Sequence, residues 1–233
     1  MTVKIIIMCG GRGRRLEPLT TSIPKPLVEI GGTSILKHKI EFYKNQGFLD
    51  FIFCVGYKSE LIVDAVNEID GINVEFSDAG EGAGILERID RVKDRIEGDA
   101  IVTYGDTFTD VDLNELLDRH SKSDSAVTIV TAPIVNPFGL VEIASDSSIT
   151  SFKEKPVLNY YIGYHVISRN AFDFVPQFIV KKPDGEGLVM FFKMLIGMGY
   201  LGSFEHSGTQ ITFNTMEEHK IAEEKIKNFF TLN

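Results

Sequence analysis

The chain of 233 residues is 43% hydrophobic and 24% charged, the makeup of a soluble globular protein long enough to bury one full α/β core. Its formal net charge of −9 opposes a nucleic-acid surface, which needs a field of clustered Lys and Arg. Apolar runs are broken by charge or glycine short of the roughly 20 residues of a membrane span, and Met1-Thr-Val-Lys lacks a signal-peptide layout, so the expectation is a cytoplasmic protein without a membrane partner.

Lys4–Cys9 is an uninterrupted apolar run ending in glycines, which reads as a buried parallel strand. After the loop Gly10–Pro26, Leu36, Ile40 and Tyr43 follow helical spacing up to Gly47, and Phe51–Val55 reads as a second strand. Leu61 to Ile69 marks a helix, Asn73–Phe76 a strand, Ile85–Ile96 a helix and Ala100–Tyr104 a strand. This alternation predicts an α/β class with a doubly wound, Rossmann-like, mainly parallel sheet. From Ala126 on, the strands Ala126–Thr131, Gly139–Ile143, Ile149–Lys153 and Tyr161–Ile167 follow one another at short intervals and predict antiparallel additions. Helical patterns over Gly187–Met198 and Thr215–Phe230 complete the chain. No linker separates the halves, so a single domain over 1–233 is expected, with the phosphate loop in 1–125 and a second half in 126–233. No hexapeptide repeat announces an appended β-helix. Cys9 and Cys54 both fall in strands and read as buried free thiols.

The chemistry concentrates in Gly10–Pro26. Gly10, Gly11 and Gly13 let backbone N–H groups approach an anion, and Arg12, Arg14, Arg15 and Lys25 supply positive charge, with Glu17 the sole acid between Gly10 and Lys25. No Gly-Lys-Ser/Thr closes the loop, which excludes a P-loop, and Leu16 stands where the third glycine of a dinucleotide fingerprint belongs. Pro18, Pro24 and Pro26 forbid an immediate long helix, leaving an extended loop long enough to wrap a triphosphate and bring Lys25 back to it. A tight turn with a solvated basic loop is the plainer alternative, and the combination of glycines, arginines and the Pro-Lys-Pro return weighs against it.

These motifs resemble the sugar-1-phosphate nucleotidylyltransferases. The family pattern stands here as Gly10-Gly-Arg-Gly-Arg-Arg15-Leu16, Pro18-Leu-Thr20 and Pro24-Lys25-Pro26, and the likeness continues through Val28–Gly32, Val55–Lys58, Tyr104-Gly-Asp106, Phe152–Pro156 and Phe204–His206. Cytidylyltransferases of glucose 1-phosphate are the most similar members, and heptose-phosphate guanylyltransferases are nearly as similar over Gly105–Leu113.

The resemblance implies the nucleotide-diphospho-sugar transferase fold, which is GT-A-like. It also implies transfer of a nucleotidyl group from an NTP, CTP favoured, to a sugar 1-phosphate. By the same carry-over Arg15, Lys25 and Asp106 are the catalytic residues, with Asp106 as ligand to the Mg²⁺ cofactor. Gly10, Gly11, Gly13, Arg14, Gly82 and Gly84 hold the nucleotide, and Gly139, Glu154, Lys155 and Gly163 hold the sugar phosphate in the second half. The family often forms homo-oligomers. Without the resemblance, Asp106 also reads as a turn cap and Lys153-Glu-Lys as a charged turn.

Three departures stand out. Asn214 occupies the place of the family's second metal-binding aspartate, Arg14 replaces a threonine, and Tyr161-Ile162 replaces an Asn-Gly beside the sugar. An amide oxygen is a weaker Mg²⁺ ligand than a carboxylate. A non-sugar phosphate acceptor, such as phosphocholine or a polyol phosphate, and a regulatory nucleotide-binding role stay open on these grounds. The five histidines show no ligand spacing and receive no catalytic role.

Overall fold

The computed structural model describes residues 2–232, with 230–232 described by backbone alone. Its main sheet has seven strands: β1 Lys4–Met8, β2 Asp50–Val55, β3 Asn73–Asp78, β4 Asp99–Tyr104, β5 Val127–Val135, β6 Val157–Ser168 and β7 Leu201–Glu205. They lie in the order β7-β5-β6-β4-β1-β2-β3, so strands from both halves of the chain enter one sheet. β3, β2, β1 and β4 pair in parallel, β7 is parallel to β5, and β6 is antiparallel to both β4 and β5. The predicted mainly parallel sheet is therefore correct, with β6 alone reversed within it.

Why the first strand reads as continuously apolar is visible in its packing. Ile5 and Ile7 enter the core on one face while Ile6 enters the core on the other, so both faces exclude water. β2 repeats this with Phe51 and Phe53 against Ile52 and Cys54. The first core is covered by α1 Ile35–Asn45 through Leu36, Ile40 and Tyr43, by α2 Ser59–Asn67 through Ile62 and Val66, and by α4 Leu113–Ser121. The second is covered by α3 Ile85–Asp90 and by α5 Glu186–Met198, with Leu188, Phe191 and Leu195 pointing inward. A third cluster joins Leu16, Val28, Ile30, Phe108 and Phe213 to Ala222 and Ile226 of α6 Met216–Leu232. It clamps the basic loop to the C-terminal helix.

Two predicted elements differ. The helix expected over Ile85–Ile96 stops at Asp90 and continues as a 3₁₀ turn over Lys93–Arg95. Leu86, Ile89, Val92 and Ile96 all stay buried in one cluster, so the inward apolar spacing survives the break and hid it from sequence. The strands expected over Ala126–Thr131 and Tyr161–Ile167 are longer, because Val157–Tyr161 pairs with Thr131–Val135 past the end of β4. That projecting arm leads into the antiparallel ribbon Leu140–Ile143 with Ile149–Lys153.

β1 lies between β2 and β4, so its connections leave in opposite directions and a crevice opens beyond the C-terminal strand ends, where ligands bind in open α/β sheets.

Candidate active site

A cleft of about 870 Å³ occupies that crevice. Its wall is the glycine loop from Gly10 to Leu16 with Lys25 and Pro26, and it also reaches Glu81, Gly82, Ala83, Arg88, Tyr104, Asp106, Asp184 and Asn214. The loop is fixed from several directions. Leu16 is 1% exposed in the third cluster and anchors the turn Arg14–Leu16. Thr20 Oγ1 donates to the Gly13 carbonyl at 3.0 Å, and the Tyr57 hydroxyl donates to the Thr20 carbonyl at 3.0 Å. Arg12 sits 5.4 Å from the centroid of the Tyr57 ring and 3.6 Å from Glu81, which leaves it committed to the loop's own support.

Gly13 has φ +65°, a left-handed conformation costly for any residue with a Cβ. Gly10 has a different reason: a Cβ there would overlap the Arg88 guanidinium. The two glycines, read alike in sequence as openings for an anion, are thus required by distinct constraints. Arg14 and Arg15 are exposed on the cleft wall and have no ion-pair partner among the described residues.

Lys25 is turned inward by the 3₁₀ turn Lys25–Leu27 and is 5% exposed. Its Nζ donates to Asp106 Oδ2 at 2.7 Å and to Asn214 Oδ1 at 3.2 Å, and lies 5.3 Å from the centroid of the buried Phe213 ring. Three segments far apart in the chain thereby meet at one cation. Asp106 is placed by the end of β4, where Gly105 N–H donates to the Met8 carbonyl at 3.0 Å. Asn214 is placed by its backbone N–H, which donates to Glu218 Oε2 at 2.6 Å in the first turn of α6. Two oxygen donors that already converge on one ammonium can also hold a hard divalent cation alongside water and phosphate oxygens.

Beneath Asp106, fully buried Lys39 donates to the Thr107 carbonyl and, at 2.6 Å, to the Tyr164 hydroxyl. Tyr164 also donates to the Thr107 carbonyl at 3.0 Å. Burial lowers the Lys39 pKa from its ordinary value to about 7, against a raising influence from Asp106. Sequence reasoning missed Lys39 and Arg88. Arg88 is 4% exposed and donates to the carbonyls of Val55 at 2.5 Å, Gly80 at 2.6 Å and Ala83 at 3.1 Å.

The remaining expected residues are distributed unevenly. Gly82 lines the cleft, whereas the space over Gly84 is filled by the Lys182 carbonyl. Gly163, at φ +81°, packs on the Tyr104 ring at the cleft's edge. Gly139, Glu154 and Lys155 are exposed on the ribbon and do not line the cleft, because the projecting β5–β6 arm carries them past the strand ends. Tyr161 and Ile162 serve packing. The Tyr161 hydroxyl hydrogen-bonds His165 Nδ1 at 2.8 Å and its ring meets Tyr104 and Phe192 edge-on, while Ile162 is 4% exposed. None of the histidines lines the cleft, and Cys9 and Cys54 are buried free thiols.

The sequence pattern of the nucleotidyl transferase family matches residues 4–186, which include the glycine loop, Lys25 and Asp106 but not Asn214. The chain belongs to that family. Among similar proteins, the glucose-1-phosphate cytidylyltransferase of Salmonella typhimurium is 28% identical over 246 residues, covering 93% of each chain. A mannose-1-phosphate guanyltransferase of Saccharomyces cerevisiae is 32% identical over 66% of this chain and 45% of its own length. The crystal structure of HddC from Yersinia pseudotuberculosis superposes with a TM-score of 0.73 at 24% identity, covering 97% of this chain and all of that one, and so shares the fold. Direct in-line nucleotidyl transfer needs no protein nucleophile, which agrees with a cleft lined by arginines, Lys25, backbone and the carboxylates of Glu81, Asp106 and Asp184. Among the described residues no helix is long and apolar enough to cross a membrane.

Proposed function

We propose that this nucleotidyl transferase moves a nucleotidyl group from an NTP, with CTP favoured, to a sugar 1-phosphate, giving an NDP-sugar and pyrophosphate. The observation that carries the reading is the meeting of Lys25, Asp106 and Asn214 under a basic glycine loop at the sheet's switch point. Likeness over 93% of the chain to a glucose-1-phosphate cytidylyltransferase supports the sugar acceptor and the CTP preference.

In this reading the sugar phosphate oxygen attacks the α-phosphorus in line, one P–O bond forms and the P–O bond to pyrophosphate breaks. Charge passes to the leaving pyrophosphate, so cations placed in advance lower the barrier. Exposed Arg14 and Arg15 grip the β- and γ-phosphates, and the Gly11 to Gly13 backbone lies against them. Lys25, held by Asp106 and Phe213, faces the α-phosphate and steadies the pentavalent charge. Gly82 leaves the base room to stack at the far end of the cleft, next to Gly84. Mg²⁺, when bound, neutralises phosphate charge and orients the leaving group. Asp106 Oδ and Asn214 Oδ1 are the oxygens that would hold it. Glu154, Lys155, Gly139 and Gly163 are proposed to meet the sugar phosphate on the ribbon side. The core packing of Tyr161 and Ile162 accounts for both residues without a non-sugar acceptor.

Incubation with CTP, GTP, dTTP, UTP and ATP against a panel of sugar 1-phosphates, with mass detection of the product, tests this. A CDP-sugar as the main product is expected. Another NDP-sugar would overturn the base preference, and no NDP-sugar from any pair would overturn the reading.

A further inference from the structure

The Arg88 guanidinium is buried under the glycine loop without a carboxylate partner in a salt bridge among the described residues. Its partners are carbonyls at and beyond the ends of three strands. Nη1 donates to Val55 at the end of β2, Nη2 to Gly80 after β3 and, at 3.4 Å, to Gly10 after β1 and to Glu81, and Nε donates to Ala83. A trans peptide points its N–H opposite to its C=O. Every carbonyl turned down onto Arg88 therefore turns the next N–H away from it: those of Gly11, Gly56, Glu81, Gly82 and Gly84.

The glycines record the same constraint. A Cβ on Gly10 would overlap the guanidinium, and one on Gly56 would crowd both it and the Gly80 carbonyl. By contrast a Cβ on Gly11, on the cleft side, would meet nothing within 4 Å. The cleft's floor thus holds a cation with no carboxylate in ion-pair contact among the described residues, Asp78 and Glu87 acting on it only from farther off. A buried unpaired charge is costly unless a counter-charge arrives.

We propose that Arg88 is a positioning residue for the nucleotide: it gathers the carbonyls at the three strand ends, faces the amides of Gly11 and Gly82 toward the triphosphate, and leaves a buried positive charge for that polyanion to neutralise. This rests on the nucleotidyl transfer reading for the ligand's class. The planar fork of donors is essential, since a lysine ammonium cannot meet carbonyls in three directions in the same geometry.

Isothermal titration with inorganic tripolyphosphate and with CTP, on wild type and Arg88→Met, tests the proposal without relying on turnover. Wild type binds both ligands and Arg88→Met binds both more weakly by roughly tenfold or more. Arg88→Lys falls between them, and steady-state kinetics show KM for the NTP raised while KM for the sugar phosphate is unchanged. A second arm uses Gly10→Ala: it weakens binding strongly in wild type and adds little in the Arg88→Met background, where the overlapping guanidinium is gone. Should Arg88→Met fail to fold, Gly56→Ala and Arg88→Lys report a smaller loss of tripolyphosphate affinity, in the same direction, in folded protein. Equal affinity in wild type and the Arg88 variants, or a Gly10→Ala effect that is the same in both backgrounds, overturns the proposal. Failure of wild type to bind tripolyphosphate or any NTP overturns instead the functional reading beneath it.

Discussion

Lys25 Nζ lies 2.7 Å from Asp106 Oδ2, a contact between residues 81 positions apart that closes the base of the cleft. With Asp106 32% exposed at the side chain and Lys25 nearly buried, the pair presents one carboxylate edge to the cleft. Asp106→Asn keeps the shape and the hydrogen bond but removes the charge. The turnover number is expected to fall roughly 100-fold or more while nucleotide still binds, read by steady-state kinetics beside titration calorimetry. Unchanged turnover would show that the carboxylate has no part in the reaction.

Asn214 brings a neutral oxygen to the same point, 3.2 Å from Lys25 Nζ. Replacing it with aspartate doubles the carboxylates available to a divalent cation. The Mg²⁺ concentration for half-maximal turnover of Asn214→Asp should fall several-fold. An unchanged or higher Mg²⁺ requirement would remove this residue from the metal site.

Gly13 combines φ +65° with close packing, since a Cβ there would lie 3.0 Å from Lys25 Cβ. Gly13→Ala should cost about 1–2 kcal/mol in backbone strain, and the loop's shift toward Lys25 should raise the NTP KM. Thermal unfolding and KM measured together check this, and a variant with both unaltered would contradict the loop geometry.

Lys39 makes stability depend on pH. Below pH 7 it is charged in folded and unfolded chains alike, so the folded state carries the full cost of its burial. Between its folded value of about 7 and the ordinary lysine range, the unfolded chain holds a proton that the folded chain has released, and stability rises with pH. Cys9 and Cys54 act in the opposite sense: burial raises both thiols, Cys54 to about 12, so stability is lost once unfolded thiols ionise above about pH 9. The unfolding free energy from denaturant titration should therefore climb from pH 7 to 9, by at most about 1.4 kcal/mol per pH unit. In Lys39→Met that slope should vanish, with the Thr107 carbonyl still bonded to Tyr164. A slope that persists in the variant would assign the pH response elsewhere.

How much of this was legible follows from what each residue's chemistry reveals. Glycines, arginines and prolines at Gly10–Pro26 each restrict the backbone or charge in a specific way, so the loop and its strand could be read directly. Arg88 and Lys39 were hidden by the opposite property, because polar residues inside helical patterns are usually solvated. Their phase was the available signal. Arg88 falls on the inward stripe with Ile85, Ile89 and Val92, and Lys39 with Leu36, Ile40 and Tyr43, at the three- and four-residue spacing of a buried face. The sequence pattern marks the strands of the ribbon flanked by Gly139, Glu154 and Lys155, but where the ribbon projects depends on how far β5 and β6 outrun β4. Local pattern does not encode that length difference.

Nucleotidyl transfer couples pyrophosphate release to NDP-sugar formation, and stoichiometry reads that coupling. Pyrophosphate and NDP-sugar are measured together in reactions holding the NTP alone, the sugar 1-phosphate alone, or both. One pyrophosphate per NDP-sugar, formed when both substrates are present and not otherwise, is the predicted result; pyrophosphate released from the NTP without a sugar phosphate, or with no NDP-sugar formed, would contradict it.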